Sequence, residues 1–326
     1  MSAPAAAIDI GSNSVHLLVA RPGADGAPAT LLDVSHQAGV GLHVDATGEL
    51  GSMLRWSVVT TLVDYVAQAR AAGAMDVVIV GTEAMRRAGD ATLLAEELKD
   101  ETGLTATVLD RVTEGLLTML GVTGGRIPGS LAVVDIGGGS TQVTVAHPDG
   151  PPVVGLLPAG SARLAARHVH SDPIIDEEVA SLRLAARELV AGLDVPYVER
   201  AIVAGGSGTN VPRLLGRERT TPVDRATIRD SLTLLREHPA ADLAERTGLT
   251  PRRVAQLAAG LAIGEALLDH LGLDVAEVSD ASLRDGLLIA TWDAGADWLR
   301  ALPGIIASRS SRDAADRAAD ARDGAS

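Results

Sequence analysis

The sequence predicts an α/β protein of two related domains, each with a mixed sheet flanked by helices. The chain has 326 residues, enough for two domains of ordinary size. Apolar strand patterns alternate with helical patterns along it. The stretch AAAIDIGSNSVHLLVA (5–20) also returns as LAVVDIGGGSTQVTVA (131–146), and each copy has a strand, Asp-Ile-Gly and a returning strand. The copies lie too far apart for a solenoid repeat, so they indicate duplicated domains.

The remaining elements follow in order. The first half is predicted to contain a hairpin (6–20), a helix (52–72), a buried strand (75–82), a helix (90–103), a short strand (105–110) and a helix (113–122). The second half is predicted to contain a hairpin (130–147), a helix (176–192), a strand (199–204), helices near 223–238 and 250–271, a strand (275–278) and a final helix (282–299). The segment 306–326 has no large apolar residue after Ile306, so we expect it to be disordered.

Composition narrows the class of function. The formal net charge is −14, which argues against DNA binding. A helix-turn-helix-like spacing at 244–263 is therefore better interpreted as a packed helix. There is no cysteine, no basic leader at the N-terminus and no long uncharged apolar run, so we expect a cytoplasmic protein without a membrane span.

Three glycine-rich loops are the candidate ligand-binding features. Glycine lets a backbone take positive φ and approach an anion closely. The candidate anion-binding residues are Gly11, Ser12, Asn13 and Ser14 in the first loop, Gly137, Gly138, Gly139, Ser140 and Thr141 in the second, and Gly206 and Ser207 in the third. Asp9 and Asp135 end the strands before the first two loops and could hold a metal ion.

Two charged residues outside these loops are further candidates. Glu114 opens a predicted helix and could act in the site or complement the helix dipole. Arg86, with Arg87 beside it, could clamp a phosphate or be solvated.

Several segments together resemble the exopolyphosphatase and guanosine pentaphosphate phosphohydrolase family of the actin-like ATPase superfamily. These are IDIGSNSVHLLVA (8–20), VIVGTEAMRRA (78–88), VVDIGGGSTQVTV (133–145), LLPAGSARL (156–164), VAGGSGTNVPRL (203–214), AAGLAIGEALLDHLGL (258–273) and VSDASLRDGLL (278–288). The resemblance covers residues 6–290. It implies two actin-like (ribonuclease H-like) domains, 1–125 and 126–305, with a ligand cleft between them and the final helix packed back on the first.

The resemblance also implies an activity. Family members release terminal phosphate from inorganic polyphosphate or the 5′ γ-phosphate from guanosine pentaphosphate, with a divalent metal that is usually Mg²⁺. Glu114 matches the glutamate that positions the attacking water, and Asp135 matches a catalytic and metal-binding aspartate. Arg86 matches a phosphate-binding arginine. A homodimer is plausible.

Departures from the family pattern keep other functions open. Gln142 replaces a glutamate after the second loop, while Leu116 and Gly41 replace arginines, and Asp285 replaces a glutamate. A polyanion should bind less well with two cations fewer. The alternatives are therefore a nucleotide-binding sensor of the same fold, or a small-molecule kinase of the same superfamily.

Overall fold

The computed structural model describes residues 3–24, 26–148 and 150–323, with side chains described as far as residue 313. The chain divides into two compact units. The first comprises the chain up to Pro128, Pro148–Pro151 and the chain from Ala281 onward. The second comprises Gly129–His147 and Pro152–Asp280. The chain therefore leaves the first unit near Pro128 and returns to it at Ala281.

The first unit is built on a five-stranded mixed sheet of order β3-β2-β1-β4-β5. Its strands are β1 (Ala5–Ile10), β2 (Val15–Pro22), β3 (Pro28–His36), β4 (Asp76–Gly81) and β5 (Ala106–Val108). Its helices are α1 (Val40–Thr47), α2 (Gly51–Ala71), α3 (Glu83–Arg87), α4 (Ala91–Thr102), α5 (Arg111–Thr123), α12 (Leu283–Ala294) and α13 (Trp298–Asp323), with a 3-10 turn at Gly295–Asp297. β1 pairs antiparallel with β2 and parallel with β4, so the loop after β1 and the segment after β4 leave the same sheet edge.

The second unit repeats this arrangement in a sheet of order β10-β11-β9-β6-β7-β8. Its strands are β6 (Leu131–Ile136), β7 (Thr141–Ala146), β8 (Val153–Leu157), β9 (Arg200–Ala204), β10 (Val223–Asp224) and β11 (Val275–Val278). Its helices are α6 (Ser161–His168), α7 (Asp176–Val190), α8 (Gly205–Leu214), α9 (Arg225–Glu237), α10 (Ala240–Thr247) and α11 (Pro251–Leu271). β6 pairs antiparallel with β7 and parallel with β9, as β1 does with β2 and β4. The duplication predicted from the two Asp-Ile-Gly segments is therefore a duplication of sheet topology.

The core of the second unit is packed from aliphatic side chains alone, since the chain has no Phe. Helix α11 is its central helix and is buried along most of its length. It is long and apolar enough to span a membrane, but 67% of its apolar window is buried inside the fold, as in a core helix. An apolar cavity of about 40 Å³ remains between α11 and the sheet, lined by residues that include Ile136 and Gly264.

Two glycines bring α5 and α12 together at backbone distance in the first unit. A Cβ on Gly286 would overlap the carbonyl of Leu117, and one on Gly121 would overlap the carbonyl of Ser282. Ser282 and Asp285 form a capping box that starts α12, with Asp285 Oδ2 accepting from Ser282 N at 2.8 Å. Helix α12 therefore fixes α5, the helix that carries Glu114.

The structure corrects two sequence-based expectations. The tail expected to be disordered from residue 306 is helical as far as Asp323, and residues 324–326 lie outside the described residues. Its alanines favour a helix, and Arg309 anchors it by donating to both Asp293 carboxylate oxygens, at 2.7 and 3.0 Å. The second correction concerns elements that the sequence analysis did not predict, among them β3, α1, β8, α6 and α10. The third glycine loop also forms the first turn of a helix, α8.

Candidate active site

The first glycine loop joins β1 to β2 and is held by the start of α1. Gly11 N donates to Ser14 O at 3.0 Å, which closes the hairpin. The Ser12 and Asn13 carbonyls accept from the amides of Gly41 and Gly39, at 2.7 and 2.9 Å. The sequence argument for positive φ was wrong for the candidate glycines of all three loops. None of Gly11, Gly137, Gly138, Gly139 and Gly206 is among the positive-φ glycines of the described chain.

The second glycine loop, between β6 and β7, is held in the same way by the start of α6. The Gly137 carbonyl accepts from Ser161 N at 2.8 Å, and the Gly138 carbonyl accepts from Ala162 N at 3.0 Å. The amides of Gly138 and Gly139 make no hydrogen bond within the described chain. Successive backbone amides without a partner are a common anion-binding arrangement, so these two amides are candidate anion donors.

A buried carboxylate that sequence reasoning missed lies behind the first loop. Glu83, at the start of α3, is 2% exposed and accepts a hydrogen bond from Ser12 Oγ at 3.1 Å. Arg87 pairs with the same carboxylate and also reaches Asp45 of α1 at 2.6 Å. Arg87 is therefore a tie between α3 and α1 rather than a solvated arginine. Burial alone would lower the pKa of Arg87, but the hydrogen bonds and charge of Glu83 and Asp45 raise it overall.

Arg86 and Glu114 form an ion pair in the first unit. Arg86 Nη1 donates to Glu114 Oε2 at 2.8 Å and to the Leu109 carbonyl at 2.7 Å. Glu114 is buried, and Arg86 Nη2 is also buried, with no hydrogen-bond partner among the described residues. A buried donor without a partner is costly, so Nη2 is a candidate contact for an acceptor supplied by a ligand.

The hairpin registers place equivalent polar side chains beside each loop. Asp9 lies opposite His16, and Asp135 lies opposite Gln142. Ser14 Oγ lies 2.7 Å from His16 Nε2, with roles set by the histidine tautomer. In the second unit Gln142 Nε2 donates to Ser140 Oγ at 3.0 Å.

The third loop packs against both Asp135 and α11. Gly205 has φ of 75°, and a Cβ there would lie 2.7 Å from Asp135 Oδ1. A Cβ on Gly206 would lie 3.1 Å from the Arg253 guanidinium, and Ser207 lies against Gly260. Thr141 Oγ1 donates to the Ala159 carbonyl at 3.0 Å, so its hydroxyl proton is already used.

Arg253 is a further cation near a glycine loop, and sequence reasoning missed it. It is half-buried, and its guanidinium has no ion pair with any other residue that the structure describes. Burial lowers the pKa of Arg253, and the adjacent positive charge of Arg252 lowers it further. An acidic residue would ordinarily pair with such a guanidinium, so an anionic ligand would be favoured beside it.

The candidate metal ligands do not form a preassembled cluster. No group of three or more His, Cys, Asp or Glu side chains suited to a metal occurs within residues 3–313, apart from the gaps at 25 and 149 that are not described. Asp9 belongs to the first unit and Asp135 to the second. Magnesium commonly binds through one or two carboxylates, waters and phosphate oxygens, so a single aspartate beside a phosphate loop fits its chemistry.

Sheet topology and hairpins define an α/β protein of two units, each with a mixed sheet and one glycine-rich hairpin loop. The model of the Ppx/GppA phosphatase family matches residues 25–293. The chain therefore belongs to the Ppx/GppA phosphatase family.

Individual relatives agree with this assignment. Exopolyphosphatase 2 of Mycobacterium tuberculosis is 30% identical, over 87% of this chain and 97% of the relative. Exopolyphosphatase 1 of Mycobacterium leprae is 27% identical, over 89% of this chain and 90% of the relative. Among solved structures, the Ppx/GppA family member of Aquifex aeolicus has a TM-score of 0.76 at 27% identity, covering 89% of this chain and 97% of that one.

Proposed function

We propose that this protein is a phosphoanhydride hydrolase that releases terminal phosphate from inorganic polyphosphate, guanosine pentaphosphate or both. The family assignment and the named exopolyphosphatase relatives support the reaction class. The chain is also 25% identical to the guanosine-5′-triphosphate,3′-diphosphate pyrophosphatase of Vibrio cholerae, of which it spans 58%. This second relative supports guanosine pentaphosphate as a candidate substrate beside polyphosphate.

The ion pair between Arg86 and the buried Glu114 is the observation that carries the proposal. Arg86 Nη1 fixes one oxygen of the Glu114 carboxylate at 2.8 Å. In our proposal the Glu114 carboxylate accepts a proton from the attacking water and orients it toward the phosphorus. The spare Nη2 of Arg86 would donate to an equatorial phosphate oxygen, where negative charge is stabilised during transfer.

Each glycine loop is a proposed anion-binding turn of its own unit. In the second loop the Gly138 and Gly139 amides and the Ser140 hydroxyl are the proposed donors to phosphate oxygens. In the first loop Gly11 to Ser14 present the equivalent turn. Backbone amides suit this protein because its net charge of −14 would repel a polyanion at long range.

We propose Mg²⁺ as the cofactor, with Asp9 and Asp135 each a candidate carboxylate ligand beside its own loop, together with waters and phosphate oxygens. When bound, it would neutralise charge on the phosphates and on the leaving group. Asp135 in this proposal keeps one oxygen close to Gly205, where only a glycine leaves room for the carboxylate. Glutamate is absent from position 142, so metal affinity would depend on the ligand phosphates more than on the protein.

Phosphate release from polyphosphate and from guanosine pentaphosphate, with and without Mg²⁺, tests the proposal. Glu114→Gln keeps the shape of the side chain but removes the proton acceptor, and we expect kcat to fall about 10²–10⁴-fold. Glu178→Gln is the matched control, because Glu178 is equally buried but caps backbone amides of the second unit. Equal turnover by the unmodified protein and Glu114→Gln would contradict the assigned role.

A nucleotide-binding sensor is the second candidate, and Gln142 is the observation that favours it. A glutamine cannot supply the anionic metal ligand that the family pattern has at this position. In that case guanosine tetraphosphate or pentaphosphate would bind in calorimetry with no phosphate release from any substrate. Turnover that depends on Glu114 would exclude the sensor as the main function.

A further inference from the structure

Two loop serines have partners of opposite hydrogen-bonding character. Ser12 Oγ donates to the Glu83 carboxylate at 3.1 Å, whereas Ser140 Oγ accepts from the Gln142 amide at 3.0 Å. Both serines are buried, at 8% and 3% exposure, so neither hydroxyl turns freely into solvent. A hydroxyl has one proton and two lone pairs, so each partner decides what the serine can still offer.

Glu83 makes Ser12 a hydrogen-bond donor toward the protein. The Glu83 carboxylate also pairs with the Arg87 guanidinium, and a carboxylate in an ion pair can only accept hydrogen bonds. Ser12 must therefore spend its proton on Glu83, and only lone pairs of its oxygen remain for a ligand. A phosphate oxygen is itself an acceptor and would be repelled, whereas a hydrated divalent cation or a ligand hydroxyl would be attracted.

Gln142 fixes Ser140 in the opposite sense. Its amide nitrogen gives a proton to Ser140 Oγ, and Ser140 donates to no other residue in the described ranges. The Ser140 proton is thus free for a phosphate oxygen, beside the unused amides of Gly138 and Gly139. A glutamate at position 142 would take this proton, so the glutamine converts the serine into a phosphate donor.

We propose that Glu83 and Gln142 are positioning residues that give the two serines different tasks. In the second unit Ser140 donates to a phosphate oxygen, whereas in the first unit Ser12 offers only lone pairs and accepts from the waters around a cation. This inference rests on the proposed phosphate ligand, and it changes the sequence-based expectation that Ser12 is a donor to phosphate. It also gives Gln142 a positive function, since the glutamine strengthens phosphate binding where metal ligation is lost.

Calorimetric binding of methylenediphosphonate, which resists hydrolysis, tests the inference in EDTA and in excess Mg²⁺. In EDTA, Ser140→Ala should weaken binding about tenfold, the effect of one hydrogen bond to a charged acceptor. Ser12→Ala should change that affinity less than about twofold, but should weaken the additional binding gained with Mg²⁺. Glu178→Gln controls for loss of a buried glutamate and should leave both affinities within about twofold.

Double variants separate the hydrogen-bonding role of each serine from the effect of changing a nearby charge. In a Gln142→Glu background the Ser140 proton is withdrawn, so Ser140→Ala should have less than about a twofold further effect. In a Glu83→Gln background the Ser12 proton is released, so Ser12→Ala should then weaken metal-free binding. Circular dichroism checks that each variant folds. If Glu83→Gln does not fold, the comparison of Ser140→Ala with and without Gln142→Glu tests the inference by itself.

Three results would overturn the inference. They are equal losses for Ser12→Ala and Ser140→Ala in EDTA, an undiminished Ser140→Ala effect in the Gln142→Glu background, and no diphosphonate binding by the unmodified protein. Polyphosphate turnover is measured separately. If the protein hydrolyses polyphosphate but Ser12→Ala and Ser140→Ala lose equal affinity, only the donor and acceptor roles assigned to the serines are refuted. If the expected binding pattern is seen without turnover, only the proposed hydrolysis is refuted.

Discussion

Two glycines one helical turn apart on α11 provide a test of how the second unit is packed. Gly260 and Gly264 both lie inside the helix, and neither has positive φ. A Cβ on Gly264 would have Ile136 Cδ1 as its nearest neighbour at 3.9 Å, an ordinary contact. A Cβ on Gly260 would lie 3.1 Å from Ser207 Cβ and 3.2 Å from Ser207 Oγ, which is too close without movement. Alanine at the two positions should therefore have opposite effects.

The size of each effect follows from two terms. Replacing a glycine inside a helix by alanine gains about 1 kcal/mol. Both glycines line the apolar cavity, so a gain of up to about 0.8 kcal/mol from filling it does not distinguish the two positions. At Gly260 overpacking costs about 1–3 kcal/mol and cancels or exceeds the helix gain. The two variants should thus differ by about 1–3 kcal/mol in the free energy of unfolding.

Differential scanning calorimetry is the suitable assay, because all three tryptophans lie in the first unit and fluorescence would miss the second. For a unit of this size each kcal/mol corresponds to about 2–4 °C in Tm. Gly264→Ala should raise the Tm of the second unit by about 2–4 °C. Gly260→Ala should leave that Tm unchanged or lower it. A lower Tm for Gly264→Ala, or equal shifts in both variants, would refute the packing argument.

Two further predictions concern other buried groups. Burial would raise the pKa of Glu178, but hydrogen bonds to its carboxylate lower the pKa overall. Its contribution to stability is therefore present above the ordinary pKa near 4.5 and is lost on acidification. In urea titrations at neutral and acidic pH, the free energy of unfolding of Glu178→Gln should depend less on pH than that of the unmodified protein. Gly286→Ala should cost about 3 kcal/mol or more because its Cβ overlaps the Leu117 carbonyl, whereas Gly304→Ala, with open space around it, should be neutral or stabilising by about 1 kcal/mol. Thermal unfolding followed by circular dichroism compares these two alanine variants, and similar losses in both would contradict a close contact of α5 with α12.

The sequence was sufficient for the repeated hairpins because their signal is local. A strand, Asp-Ile-Gly and a returning strand at 5–20 and 131–146 predict a tight turn wherever they occur. The strand order could not be derived from that pattern, because pairing of β1 with β4 and of β6 with β9 joins segments separated by long helices. The family resemblance implied two related domains with mixed sheets, and the strand order within each sheet came only from the structure.

Supporting residues of the loops were missed for a different reason. Gly41 and Ser161 act through backbone amides, and an amide has no sequence signature. Glu83 follows β4 and meets Ser12 only because β1 and β4 are neighbours. Before the structure, Glu83 could be noticed only as one glutamate beside two arginines, the usual composition of a solvated surface.

The comparison of the two loops shows why a substitution at a site can alter its chemistry without removing it. From the sequence, Gln142 is a lost anion, and that interpretation leads to weaker metal binding and a sensor. In the structure, the same amide donates to Ser140 Oγ, and in our proposal that contact strengthens phosphate binding. A phosphate group brings oxygens both for a serine hydroxyl and for a cation. Metal-free affinity for a diphosphonate and its increase with Mg²⁺ therefore measure the two effects separately, and Gln142→Glu should move them in opposite directions.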